Sequence, residues 1–306
     1  MKWATDYLRK IELQFNGRLD DFTFHKIVNS YAIYNPMMCD AFSLLHGRLT
    51  NRQEKERMLH YFICSSLFDN FCDRDALTVK QLNDISFNTE LYHAERFDEK
   101  LFLHSHVLLR DYVRDKQYYN EVTHKLFDVQ QRSAKQFDEG ITDEELEAIT
   151  FMKGGYSVLL CHFYMDEEAT AEEQQCWYRI GSIIQLTNDL YDIYKDIQDG
   201  SQTLANRMRN AYAFNEFFLG IVGNMKKEIE ALPCPASVKR SFAVSMMGIC
   251  AFGLIALQQL QQVQGTAFEL PDFQTLPRKS LIIDMEKLSN LWKWMRLVYH
   301  HSKEIS

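Results

Sequence analysis

The chain lacks the alternating apolar and polar runs that mark half-buried strands. Its apolar residues fall instead in long stretches free of proline. Prolines stand only at 36, 233, 235, 271 and 277, so the whole interval from 37 to 232 is without one. A helix interior rejects proline by about 3 kcal/mol, so such an interval predicts an all-helical body.

The breaks place the elements. Asn35-Pro36 predicts a boundary, with a helix starting near Met37. After a short turn at 47–51, Thr50 or Asn51 caps a helix running to Asp73 or beyond. Thr78 caps the next, from Val79. Helices are predicted over 99–112 and 118–137. Thr142, with Glu145 three residues later, reads as a capping box. Lys153-Gly154-Gly155 interrupts the apolar pattern. Thr170 or Ala171 restarts a helix that passes Ile197 and stops near Gly200. Pro233 and Pro235 lead into a helix at 239–262, followed by a loop at 265–280 and a terminal helix near 281–301. The longest apolar run, Phe242 to Leu257, is short of the roughly 18–20 residues of a membrane span and contains Ser245, Gly248 and Gly253. It is read as a buried central helix. No internal repeat appears, and one domain over 1–306 is expected.

Composition narrows the class. With 46% hydrophobic and 25% charged residues in 306, the chain has enough apolar surface to fold as a globule. A net charge of −8 without a basic stripe argues against nucleic acid as a partner. It also means that an anionic substrate needs metal or a local basic cluster. Seven cysteines, at 39, 64, 72, 161, 176, 234 and 250, form no Cys-x-x-Cys pair and are odd in number. They read as small buried hydrophobes of a reducing compartment. The start, Met-Lys-Trp-Ala-Thr-Asp-Tyr, has no signal-peptide layout, so a cytoplasmic location is expected. The histidine pairs His104/His106 and His300/His301 lack zinc-ligand spacing.

Two acidic constellations carry the candidate chemistry. Asp69 and Asp73, four apart in Asp69-Asn70-Phe71-Cys72-Asp73-Arg74, share one helix face within an apolar stretch. Carboxylates there cost desolvation unless a cation meets them. The competing reading is a solvated helix end, with Asp73 paired to Arg74 or Lys80. In the second, Asn188, Asp192 and Asp196 stand at i, i+4 and i+8, a row of hard oxygen donors suited to Mg²⁺. Lys195 beside them can meet a phosphate as a point charge. The competing reading is an acidic surface stripe. Two such rows, facing each other across a cavity mouth, would repel without cations and balance with Mg²⁺ and a diphosphate.

These motifs resemble those of the class I terpenoid synthases. Asn188-Asp189-Leu-Tyr-Asp192-Ile-Tyr-Lys195-Asp196 follows that family's second metal motif, with Asp in place of the central Ser/Thr and of the final Glu. The first motif is Asp-x-x-x-Asp rather than Asp-Asp-x-x-Asp. That stretch is similar to the large-terpene synthases of the tetraprenyl-β-curcumene type. The 185–200 layout is similar to squalene/phytoene synthases, whose following Gly-Arg-x-Tyr-Leu-Pro is absent here. The resemblance implies an all-α class I terpenoid synthase bundle around a central active-site cavity, with three Mg²⁺ ions and a prenyl diphosphate substrate. It implies Asp69, Asp73, Asn188, Asp192 and Asp196 as metal ligands and Lys195 as a diphosphate contact. The resemblance offers Lys153, at a helix break, as a diphosphate-sensing cation; the competing reading is a plain helix–helix turn with a solvated lysine. Arg179 and Arg74 are further candidates, each competing with a surface ion-pair role. Aromatic residues such as Phe62, Phe68, Tyr156, Trp177 and Tyr191 are candidates to line the cavity, where ring faces stabilise carbocations, or else ordinary core. The expected reaction is Mg²⁺-dependent ionisation followed by cyclisation or elimination. The rivals are head-to-head coupling of two prenyl diphosphates and a catalytically silent prenyl-diphosphate binder. Proteins resembling this class often dimerise, so a homodimer is an open expectation.

Overall fold

A computed structural model describes residues 1–73 and 76–303, with Asp73 described in its backbone alone. All regular structure among these residues is helical; no strand occurs. The chain separates into two compact units, 1–116 with 163–167, and 117–162 with 168–306.

The first unit holds α1 (Lys2–Gln14), α2 (Asp21–Tyr34), α3 (Asp40–Leu45), α4 (Arg52–Asp73), α5 (Val79–Phe87) and α6 (Phe97–Tyr112). The boundary expected at Pro36 is not a break. A π-helical turn at Asn35–Cys39 carries the chain from α2 into α3 and contains Pro36, the wider turn accommodating a ring and a missing N–H that an α-helix interior would reject. Asn51 opens α4: its side chain accepts from the Glu54 N–H at 3.0 Å, and Glu54 accepts in return from the Asn51 N–H at 2.7 Å. Thr78 and Gln81 make the same reciprocal cap for α5. α4 packs on α6 and α2. Phe71 and Leu67 are fully buried, and Phe71 meets the Phe102 ring edge-on at 5.7 Å.

The second unit begins with α7 (Lys116–Arg132), which tightens into a 3₁₀ turn at Ser133–Phe137. α8 (Asp143–Leu159) is capped by Thr142, which accepts from the Glu145 N–H, but the expected box does not close because the Glu145 side chain pairs with Lys135 at 2.7 Å; the last turn of α8 passes into a 3₁₀ segment. α9 (Ala171–Asp199) starts at a Thr170/Glu173 capping box and ends at Gly200, whose φ of 74° suits glycine. α10 (Leu204–Arg207), α11 (Ala211–Ala231), α12 (Ala236–Gln264), α13 (Arg278–Leu281) and α14 (Leu288–Ser302) complete it. α12 packs against α9, α11 and α14. By length and composition α12 could cross a membrane, but 72% of its most apolar window is buried in protein, which agrees with its reading as a core helix.

The break expected at Lys153-Gly154-Gly155 is absent. α8 runs straight through it, because the glycines serve packing rather than turning. A Cβ on Gly154 would lie 2.3 Å from the Gly181 carbonyl oxygen, and one on Gly181 equally close to that of Gly154. The two backbones therefore touch, which only glycine on both helices permits. This contact draws α8 and α9 together beside the acidic row.

The seven cysteines stand outside any disulfide; Cys39, Cys64, Cys161, Cys176 and Cys250 are the buried small side chains expected, whereas Cys72 and Cys234 are half-buried. Burial alone holds the Cys64 thiol well above its ordinary range.

Candidate functional site

In the second unit, the fourfold spacing sets Asn188, Asp192 and Asp196 one turn apart along α9. Asn188 and Asp192 are exposed and Asp196 half-buried, while Leu190 and Ile193 turn into the core. Between them Asp189 points inward and is only 6% exposed. Its carboxylate accepts from Thr150 Oγ1 of α8 at 3.2 Å and from Gln185 Nε2, one turn earlier, at 2.9 Å. Lys153, half-buried on α8, is close enough for its charge to act on Asp189.

Electrostatics single out this row. Partial burial, reinforced by the charges of Asp189 and Asp192, pushes the Asp196 carboxyl up to about 7. Burial pushes Asp189 up to about 6, with Gln185, Lys153 and Thr150 pulling the other way. Burial also raises Asp192, against the pull of Lys195. For Lys195 burial works downward, but Asp192, Asp199 and Asp196 outweigh it and hold the ammonium above its ordinary value. Lys195 Nζ lies 3.4 Å from Asp199, and both side chains are more than half exposed, so that pair is weak and easily exchanged. The row holds more carboxylate than local cations neutralise.

Among the described residues, no three His, Cys, Asp or Glu side chains converge closely enough to hold a metal by themselves. The donors fit a hard ion nonetheless. Mg²⁺ prefers oxygen, uses one or two carboxylates, and completes its shell with water and phosphate oxygens. A side-chain amide and two carboxyls with raised pKa, reachable by solvent, meet that description.

In the first unit, Asp69 is not a free ligand. Its carboxylate is about a third exposed and accepts from Lys26 Nζ of α2 at 2.9 Å. The neighbouring Asn70 Nδ2 donates to the buried Thr23 Oγ1 at 2.9 Å, fixing α4 against α2. Asp73 is the last residue of α4, four after Asp69. Its side chain and Arg74 lie outside the described residues.

Arg179, a diphosphate candidate by sequence, donates from Nε at 3.1 Å and from a terminal nitrogen at 2.9 Å to Glu228 of α11. It is held as a partly buried tie between α9 and α11. The aromatic candidates divide. Trp177 and Phe71 are core, Phe62 is stacked on Tyr34, and Tyr191 donates to the Phe252 carbonyl at 3.4 Å.

Sequence reasoning missed Lys26, Thr150 and the inward role of Asp189. Gln185 and Asp189 are four apart, so their bond was readable from spacing. Nothing local to Lys26 or Thr150 marks them, because their partners lie on other helices.

No family model matches the chain, and no curated protein does. Among solved structures it is similar to a dehydrosqualene synthase crystallised in complex with a ligand. The likeness covers 92% of this chain and 99% of that one, at 14% identity and a TM-score of 0.47.

Proposed function

We propose that this protein is a magnesium-dependent enzyme that ionises a linear prenyl diphosphate and releases diphosphate. The observation that carries the reading is the α9 row: Asn188, Asp192 and Asp196 in helical register, with Asp192 held above its ordinary range by burial and Asp199, and Asp196 by burial and the charges of Asp189 and Asp192. Their agreement with the second metal motif of the class I terpenoid synthases supports it.

In this reading Asn188, Asp192 and Asp196 would hold Mg²⁺, and by the resemblance Asp69 and Asp73 of α4 would be metal ligands in their own unit. Bound metal would supply Lewis-acid assistance to the leaving diphosphate. The chain's own groups do the rest. Asp189, hydrogen-bonded to Thr150 and Gln185, locks the face of α9 that presents the donors. The Gly154–Gly181 contact holds Lys153 of α8 beside that row. Lys195 exchanges the exposed Asp199 for a phosphate oxygen. Arg179 keeps Glu228 and positions α9 on α11, and Lys26 leaves Asp69 when a divalent cation arrives. Loss of diphosphate leaves an allylic cation. Cyclisation or elimination within one chain is the reaction proposed, and the likeness of Asp69-Asn70-Phe71-Cys72-Asp73-Arg74 to large-terpene synthases favours a long substrate.

The test is incubation of the full chain with farnesyl, geranylgeranyl, geranylfarnesyl and longer prenyl diphosphates, with Mg²⁺ and with EDTA, reading diphosphate release and product mass. A magnesium-dependent product with the carbon number of one substrate is expected. A product with the summed carbon number would assign head-to-head coupling. Magnesium-dependent binding without diphosphate release would assign a silent binder. Full turnover by Asn188→Ala would remove the α9 row from the mechanism.

A further inference from the structure

Helix α14 has an inner face and an outer apolar face, and among the described residues only the inner one packs within the chain. Asn290, Trp294, Leu297 and His301 recur at helical spacing on the inner face, which packs on α12. Trp294 Nε1 donates to the Gly248 carbonyl at 2.8 Å, and its ring meets Phe252 at 5.9 Å. On the opposite side Leu288, Leu291, Trp292, Met295 and Tyr299 fall within one stripe about 100° wide. All five are exposed: Leu288 at 73%, Trp292 at 70% and Tyr299 at 65%. Isolated exposed hydrophobics are ordinary, but a contiguous stripe over three helical turns marks an interaction site.

Charge identifies the partner. Helix α14 itself carries Lys293 and Arg296, with Lys303 at its end, and no acidic residue, in a chain whose net charge is −8; Lys287, just before it, is paired with Asp284 at 3.8 Å. On the helical wheel Arg296 and Lys303 lie along one edge of the stripe, within about 40° of Trp292, and Lys293 stands about 100° from that edge. A second copy of this chain docked face to face would bring these like charges together, which disfavours a dimer through α14. An anionic bilayer surface satisfies both components. The apolar stripe enters the acyl boundary, Trp292 and Tyr299 sit at headgroup level, and the basic edge meets lipid phosphates and carboxylates. The acidic remainder of the chain is repelled from that surface, which fixes the orientation.

We propose that α14 docks this protein in-plane on an anionic lipid surface through the stripe Leu288–Leu291–Trp292–Met295–Tyr299 and its basic edge. This peripheral attachment is independent of the reaction proposed above and uses none of its residues.

The full-length protein is tested by flotation with vesicles of phosphatidylcholine alone or with phosphatidylserine added. Co-flotation with the anionic vesicles is expected, falling with added salt and weak on phosphatidylcholine alone. Each of Arg296→Ala and Lys303→Ala should lower partitioning by roughly fivefold, and Trp292→Ser with Leu288→Ser should abolish it. These side chains are exposed, so circular dichroism should show the helical fold retained. Wild-type protein that stays unbound on anionic vesicles would overturn the proposal, as would flotation unchanged by Trp292→Ser. So would a dimer in light scattering that Trp292→Ser dissociates, with no flotation; that face would then belong to a second copy.

Discussion

Glu54 and Asp166 in the first unit, and Asp189, Asp192 and Asp196 on α9, are the same functional group under opposite electrostatics. Glu54 is completely buried, yet its pKa is lowered. Burial pushes it up, but Arg48 donates to both of its oxygens at 2.7 Å, and the backbone N–H groups of Asp166 and Asn51 donate as well. Asp166 follows the same rule, with Tyr112, Asn51 and Arg57 outweighing burial. Glu54 accepts from four donors and Asp166 from three, so the network closes the start of α4. On α9 burial wins, and the carboxyls raise one another. The difference teaches where chemistry can happen: a matched carboxylate holds structure, whereas an undercompensated one can receive a cation.

The largest expected effect breaks the matched side. Glu54→Ala leaves Arg48 and two backbone donors without their acceptor and should destabilise by about 3 kcal/mol in urea denaturation. Gly181→Ala comes next. The new methyl would sit 2.3 Å from the Gly154 carbonyl oxygen, forcing α8 from α9 at a cost of about 2 kcal/mol. Gly220→Ala on α11 is its control, since nothing lies within 4 Å of the added carbon, and it should stabilise by about 0.5–1 kcal/mol. Equal effects at the two glycines would mean the helices are not in backbone contact.

The smaller effect sharpens the comparison through pH. Asp196 has a folded-state pKa of about 7, above its unfolded value, so ionisation opposes folding. That penalty is absent below about pH 4, grows as pH rises toward 7, and is complete above it. Asp196→Asn should therefore raise the metal-free melting temperature by a few degrees at pH 8 and leave it unchanged at pH 4. Glu54 has the reverse sign: its folded pKa is depressed, so its contribution is present above the unfolded value and is lost as pH falls through the folded one. Glu54→Gln should cost more at neutral pH than in acid. Melting curves of both variants across pH separate the two classes.

Much of this was legible in the sequence, for physical reasons. Caps are local, so Thr78, Thr142 and Thr170 placed the starts of α5, α8 and α9, and the Gly200 stop placed the end of α9, to within a residue or two. The row at Asn188, Asp192 and Asp196 was legible because helical periodicity alone puts those residues on one face. What failed was long-range. Gly154-Gly155 has the composition of a break, and only a second glycine at 181, on another helix, turns it into a packing device. Pro36 looks like a boundary unless a π-helical turn accommodates it. The helix over 211–231 was not foreseen, although Asn210 caps it, accepting from the N–H groups of Tyr212 and Ala213. The pairing of Asp69 with Lys26 spans 43 positions and left no trace in either neighbourhood.

The central claim is that the α9 row exchanges protons for a divalent cation. The direct measurement is isothermal titration of Mg²⁺ with inorganic diphosphate into the full chain near pH 6.5, in two buffers of different ionisation enthalpy. Because Asp196 is protonated in much of the population at that pH, binding should release protons, so the apparent enthalpy should differ between buffers. That difference should shrink in Asp196→Asn. Binding with no proton release, or proton release unchanged in Asp196→Asn, would contradict the account.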